Sequence, residues 1–127
     1  MLSHEELARA IPIRSVDLSG WGAKESGKVR DIYTDGDTRI LITTDRVSAF
    51  DRVVGAIPFK GQVLNQLSAW WFEQVRDIVD SHVIDVPDPN VTVARSAETL
   101  PVEVGPVVFT ITLTGDCLWE RTDSSSS

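Results

Sequence analysis

Apolar positions recur at helical spacing over residues 62–80, and this is the clearest pattern in the chain. Such a stripe is typical of an amphipathic helix that packs one face against a core. The adjacent Trp70 and Trp71 are more typical of core residues than of a platform that stacks on bases. We therefore predict one main packed helix whose buried stripe is Val63, Leu64, Leu67, Trp70, Trp71, Val75, Ile78 and Val79.

Strand patterns lie on both sides of this helix. Residues 29–33 and 39–44 flank the turn signal Asp35-Gly36-Asp37 and predict a hairpin. Residues 91–95 and 102–113 are rich in β-branched side chains and predict two further strands. Residues 53–59 are apolar, residues 45–51 are polar and predicted to be irregular, and Pro87 and Pro89 predict a loop.

The order of these elements predicts an α+β fold, an antiparallel sheet with one main packed helix. Strands in runs do not fit a parallel βαβ arrangement. Ser3 and Glu6 have capping-box spacing and predict a short first helix over residues 3–10. We expect one lobe over residues 1–121 and a disordered polar tail over residues 122–127.

Composition limits the partners and the location. The 127 residues carry a net charge of −7, which repels nucleic acid at long range. The first ten residues do not resemble a signal peptide, and no apolar run approaches the roughly 20 residues that span a bilayer. We expect a cytoplasmic protein that binds neither nucleic acid nor membranes. The single cysteine, Cys117, is interpreted as a packing residue.

Two polar segments could carry chemistry. In residues 26–30, a glycine turn with Lys28 and Arg30 beside it could hold an anion, although a hairpin glycine with two solvated cations is the more common use. The sequence contains no GxxxxGKS/T phosphate loop. In residues 44–51, two carboxylates, an arginine and a serine could bind a polar ligand or could cap nearby turns.

Four blocks in order resemble those of the SAICAR synthetase family. They are Gly27-Lys28-Val29-Arg30-Asp31-Ile32-Tyr33, then Thr44-Asp45-Arg46-Val47-Ser48-Ala49-Phe50-Asp51, then residues 60–72, then Leu100-Pro101-Val102-Glu103-Val104. The family uses ATP and magnesium to join aspartate to carboxyaminoimidazole ribotide. The resemblance therefore implies ATP and magnesium as cofactors and a small-molecule nucleotide as ligand.

The resemblance also implies roles for individual residues. It places Gly27, Lys28 and Arg30 at the nucleotide phosphates and Leu100 and Glu103 on the adenine side. The substrate-cleft candidates are Asp45, Arg46, Ser48 and Asp51. No metal ligand and no catalytic residue is assigned, and neither His4 nor His82 is given a role.

The sequence departs from the family pattern near its end. Thr110 stands where the family has an arginine and Asp116 where it has a small or hydroxyl residue. The family's second half, with most of its magnesium carboxylates, does not follow. We expect a truncated and repurposed relative, and similar small relatives suggest purine-type nucleoside antibiotic biosynthesis of the coformycin or pentostatin kind. Two alternatives stay open, namely an inactive remnant and a non-catalytic module whose exposed sheet face docks on a protein partner or a second copy.

Overall fold

The computed structural model describes residues 1–104 and 107–114, with residues 98–100, 102–104 and 107–114 described by their backbone alone. The chain divides into two compact units, Met1–Ser96 and a second unit that begins at Ala97. The predicted tail at 122–127, Asp116 and Cys117 lie outside the described residues. The prediction of a single lobe over residues 1–121 stays a prediction.

The first unit is built on a five-stranded antiparallel sheet of order β1-β2-β3-β7-β6. A separate antiparallel hairpin, β4–β5, precedes the main helix. The elements are α1 His4–Arg9, β1 Ala23–Ser26, β2 Arg30–Asp35, β3 Thr38–Thr43, β4 Arg46–Ala49, β5 Arg52–Ala56, α2 Lys60–Gln74, β6 Val83–Asp88 and β7 Val91–Arg95.

The second unit is an antiparallel hairpin of β8 Ala97–Val104 and β9 Val107–Thr114, paired from Ala97 with Thr114 to Val104 with Val107. Together the two units confirm the predicted α+β class with an antiparallel sheet. Among the residues that the structure describes, neither helix has the length and apolar character needed to cross a membrane.

The core lies on one face of the central hairpin. In β2 and β3 every second side chain points to this face, and Tyr33, Ile40 and Ile42 are buried there. Val16 and Leu18, from the segment before β1, cover the face. The Tyr33 hydroxyl donates to the Val16 carbonyl at 3.0 Å and accepts from the Leu18 N–H at 2.9 Å, which anchors that segment.

Helix α2 contacts the opposite face through small and polar residues. Only Gly61 and Asn65 of this helix are buried, and the Asn65 side-chain oxygen accepts from the Thr92 hydroxyl at 2.8 Å. The predicted burial of the apolar stripe is therefore wrong, since Trp70 is 53% and Trp71 55% exposed. Helical periodicity identified the apolar face of α2. The helix nevertheless packs its glycine-bearing face against the sheet, because the two backbones approach each other closely.

Several predicted boundaries also need correction. Helix α2 ends at Gln74 instead of near residue 80, and residues 45–51, predicted irregular, contain β4. The predicted strand 102–113 is divided between β8 and β9. Strand β1 was not predicted, and β6 runs through the predicted loop around Pro87. Proline is tolerated in β6 because β6 is an edge strand. On its open side there is no neighbouring strand to bind the N–H group that proline lacks.

Candidate functional site

The connection between β1 and β2 is a tight turn formed by residues 27–30, which we call the β1–β2 tip. Ser26 and Asp31 are the last paired residues of the two strands. Beyond them the Gly27 N–H donates to the Arg30 carbonyl at 2.8 Å, so Lys28 and Val29 form the apex. The tip is therefore a hairpin end closed by a backbone hydrogen bond.

All four carbonyls of the tip are bound by the protein itself. Arg46 donates to the carbonyls of Gly27 at 2.9 Å and Lys28 at 3.1 Å. Thr44 donates to the Val29 carbonyl through its N–H at 2.9 Å and its hydroxyl at 2.8 Å. With the Arg30 carbonyl taken by Gly27, the acceptor side of the tip faces inward.

The donor side of the tip consequently faces away from these partners. The peptide bonds are trans, and a planar trans peptide points its N–H opposite to its carbonyl. The N–H groups of Lys28 and Val29 therefore point away from Arg46, and no acceptor for either lies within the described part of the chain. Two successive unpaired N–H groups form a site that suits an anion.

Two cations belong to the same tip. The Lys28 ammonium is about half exposed, at 54%, and pairs with the exposed Asp51 carboxylate. Arg30 is exposed and begins β2, on the face of the sheet opposite the buried Asp31 and Tyr33. Both positively charged groups can thus be reached by a solute. Their assignment to a phosphate, together with that of Gly27, stays a prediction.

Asp51 lies at the apex of the β4–β5 hairpin. Phe50 and Asp51 occupy the two loop positions with φ of 48° and 63°, which is the backbone of a type I′ turn. A phenylalanine with this backbone is unusual, and Phe50 is fully exposed.

Ser48 is half-buried beside the shift of register at Val47, and its hydroxyl has no partner among the described residues. Of the four cleft candidates, Asp51 pairs with the Lys28 ammonium and Arg46 donates to the Gly27 and Lys28 carbonyls, whereas Asp45 and Ser48 contact none of the phosphate candidates.

Asp45 is held entirely by backbone groups. One carboxylate oxygen accepts from the Ile13 N–H and the other from the Gly61 N–H, both at 2.8 Å. The residue is buried, and these bonds join the segment before β1 to the first turn of α2. Asp45 therefore has a capping role of the kind that polar residues most often have at such positions.

Asp31 is the polar residue that the sequence analysis missed. Its carboxylate is fully buried and accepts from the Val16 N–H at 3.0 Å, the Ser26 hydroxyl at 3.1 Å and Arg46 at 3.0 Å. Burial alone raises the pKa of Asp31, but the hydrogen bonds from Val16, Arg46 and Ser26 together hold the pKa below its usual value. The sequence signal that could have identified Asp31 was a carboxylate at a core-facing position of a strand.

His82 lies in the connection between α2 and β6, directly before β6. Its ring meets the Phe72 ring edge to face, with centroids 5.3 Å apart. Burial lowers the pKa of His82, and the positive charge of Arg30 lowers it further. His82 therefore reports on the electrostatic field at Arg30.

We expect NMR titration to place the pKa of His82 below 6.5, and Arg30→Ala to raise that pKa without bringing it to 6.5. The rise is partial because desolvation is the larger cause and survives the substitution. Since the folded state disfavours the protonated ring, His82 also makes stability fall as the pH is lowered below about 6.5. Arg76→Ala, which removes an exposed arginine paired with Glu73, should leave the titration unchanged. An unchanged pKa of His82 in Arg30→Ala would contradict this assignment.

The described carboxylates do not fit a magnesium site. Hard divalent cations need several oxygen ligands together. Among the side chains that the structure describes, no group of three or more histidine, cysteine, aspartate or glutamate residues is placed to hold a metal ion. Asp31 and Asp45 are occupied by protein donors, and Asp51 pairs with Lys28.

The remaining candidates belong to the second unit. Leu100 and Glu103 lie on β8 and Thr110 lies on β9, and the structure describes the backbone of these three residues alone. Thr110 is paired with Pro101 across the hairpin. The adenine-side assignment of Leu100 and Glu103 stays a prediction.

Comparison with known proteins identifies the family of this chain. The sequence model of SAICAR synthetase matches residues 23–123. The chain is 47% identical over 118 residues to the chloroplastic phosphoribosylaminoimidazole-succinocarboxamide synthase of Vigna aconitifolia, covering 93% of this chain and 33% of that protein. It is 57% identical over 83 residues to the synthase of Legionella pneumophila strain Lens, covering 65% of this chain and 27% of that one.

A solved structure agrees with these sequence matches. The SAICAR synthase of Saccharomyces cerevisiae, complexed with SAICAR, superposes with a TM-score of 0.62 at 28% identity, covering 68% of this chain and 38% of that chain. The chain thus spans about a third of the length of the curated relatives it matches. By sequence and by fold, the chain belongs to the SAICAR synthetase family.

Proposed function

We propose that the β1–β2 tip binds the phosphate groups of ATP or of a related purine or imidazole ribonucleotide. One observation carries the proposal: the tip turns all its carbonyls inward and leaves the N–H groups of Lys28 and Val29 unpaired, next to two cations. Family membership supports the same ligand class, and the yeast relative holds SAICAR, an imidazole ribotide.

The charges around the tip make the expected affinity modest. Each charge-assisted hydrogen bond contributes about 1.5–3 kcal/mol, and a few of these in open water correspond to binding in the millimolar range. The net charge of −7 opposes an approaching anion at long range. A phosphate also has to compete with Asp51 for Lys28, because the two side chains are already paired.

Calorimetric titration with ATP and with inorganic tripolyphosphate tests the proposal. We expect Lys28→Ala to weaken binding about tenfold, equivalent to about 1.4 kcal/mol. Asp51→Asn should strengthen binding, because it removes the competing negative charge and asparagine tolerates the left-handed backbone at φ 63°. Arg76→Ala, an exposed arginine of the segment after α2, is the matched control and should bind as the wild type does. No saturable binding at millimolar ligand, or equal affinities in Lys28→Ala and the wild type, would refute the proposal.

We assign phosphate binding to this chain and leave the ligation step unassigned. The described carboxylates do not form a magnesium site, and the relatives that carry the activity are about three times as long. Specialised nucleoside antibiotic biosynthesis stays a prediction from resemblance, for which the neighbouring genes are the test.

A second candidate is a module that docks on another polypeptide. The specific observation is that the apolar stripe of α2, including Leu67, Trp70 and Trp71, is exposed in the unit Met1–Ser96. This exposed apolar surface lies on the helix, and docking through an exposed sheet face stays a prediction. Sedimentation over a range of protein concentrations tests for self-association, and a monomer at all concentrations would remove the second-copy version of this candidate.

A further inference from the structure

Arg46, a cleft candidate from sequence, is bound to acceptors of the protein itself. It is the first residue of β4, and its side chain is only 12% exposed. The guanidinium lies behind the β1–β2 tip, where it meets acceptors from three separate segments. These are the carbonyls of Gly27 and Lys28, the carbonyl of Arg14 and the carboxylate of Asp31.

The hydrogen-bond capacity of Arg46 is almost fully used by these acceptors. A guanidinium has five N–H donors in a fixed fork. Nε binds the Lys28 carbonyl at 3.1 Å, Nη2 binds the Gly27 carbonyl at 2.9 Å and Asp31 at 3.0 Å, and Nη1 binds the Arg14 carbonyl. One N–H is left, so Arg46 has little capacity to contact a ligand directly.

The two tip carbonyls that Arg46 holds are the two that orient the unpaired donors. The Gly27 carbonyl shares a peptide plane with the Lys28 N–H, and the Lys28 carbonyl shares one with the Val29 N–H. Holding both carbonyls inward therefore fixes both N–H groups outward. Asp31 fixes the guanidinium in turn, since it is fully buried and anchored by Val16 and Ser26.

We propose that Arg46 is a positioning residue that sets the anion-facing geometry of the β1–β2 tip through the Gly27 and Lys28 carbonyls. The inference rests on the proposed function and deepens it, because it moves Arg46 from the ligand to the support of the site. A lysine at this position keeps the positive charge but has no planar fork to hold two neighbouring carbonyls and a carboxylate together. The geometry of the guanidinium, beyond its charge, is the property that matters.

Arg46→Lys tests the proposal through the tip itself, with no ligand needed. In NMR spectra we expect the amides of Lys28 and Val29 to shift and broaden, while Gly36, at the far end of the β2–β3 hairpin, keeps its wild-type signal. Arg52→Lys, an exposed arginine on the paired strand β5, is the matched control and should leave the tip unchanged. Wild-type signals for Lys28 and Val29 in Arg46→Lys would overturn the proposal.

Two further measurements separate this inference from the proposed function. Tripolyphosphate affinity should fall about tenfold in Arg46→Lys, and added guanidinium ion should restore affinity in Arg46→Ala but not in Lys28→Ala. If wild-type protein does not bind tripolyphosphate, the proposed function fails, while the ligand-free tip spectra still decide the role of Arg46. If Arg46→Lys does not fold, a scalar coupling across the hydrogen bond from Arg46 Nε to the Lys28 carbonyl in wild-type protein decides it, and absence of that coupling overturns the proposal.

Discussion

We expect Asp31→Ala to lower the free energy of unfolding of the unit Met1–Ser96 by about 3–5 kcal/mol. The substitution removes a fully buried carboxylate that joins the segment before β1, the end of β1 and β4. It also leaves Arg46 with its charge uncompensated at 12% exposure. Urea-induced unfolding followed by circular dichroism measures the loss.

The pH dependence of the free energy of unfolding provides a second test of the role of Asp31. Because the folded-state pKa of Asp31 lies below its usual 3.8, its stabilisation is present above that pH and is lost as the pH falls through the lowered value. The difference between wild type and Asp31→Ala should therefore narrow in acid. Asp17→Ala, an exposed aspartate of the same segment, should change the free energy by no more than about 0.5 kcal/mol. Equal losses in the two variants would contradict the role given to Asp31.

Gly61→Ala should prevent α2 from seating on the sheet and cost about 2–3 kcal/mol. A Cβ at this position would lie 2.2 Å from the Thr43 carbonyl oxygen and 2.8 Å from that of Thr44. Both are backbone atoms at the end of β3, so relief requires the helix to move and the Asp45 bond to the Gly61 N–H to lengthen. The better helix propensity of alanine, about 1 kcal/mol, does not offset this clash.

Gly55→Ala is the matched control for this steric effect. Gly55 lies on β5, and a Cβ added there meets no atom within 4 Å. We expect the free energy of unfolding of Gly55→Ala, measured by thermal unfolding, to differ from that of the wild type by about 0.5 kcal/mol or less. If Gly61→Ala and Gly55→Ala had the same midpoint temperature of unfolding, α2 would not lie against Thr43 as described.

The sequence predicted those features that depend on local pattern. The turn signal Asp35-Gly36-Asp37 and the strand-forming residues on both sides of it located β2 and β3, and Ser3 with Glu6 gave the observed capping box of α1. The glycine turn with Lys28 and Arg30 could be identified as an anion-site candidate because its residue types lie together in the chain. Each of these features is decided within a few residues.

The features that the sequence did not predict depend on distant partners. Asp45 and Arg46 have the composition of a ligand site, and only the fold shows that Ile13, Gly61, Gly27 and Arg14 occupy their polar atoms. Periodicity gave the apolar face of α2 correctly, but which face meets the sheet depends on how closely the two backbones approach. A polar cluster in sequence can therefore be the support of a site instead of its contact surface.

The most direct test of the central claim is an NMR titration of the wild-type protein with tripolyphosphate, observed at backbone amides. We predict saturable shifts that are largest at the N–H groups of Lys28 and Val29, with little change at Gly36 on the apex between β2 and β3. Shifts of equal size at Gly36 and at Lys28, or none at Lys28 and Val29 when other sites saturate, would contradict it.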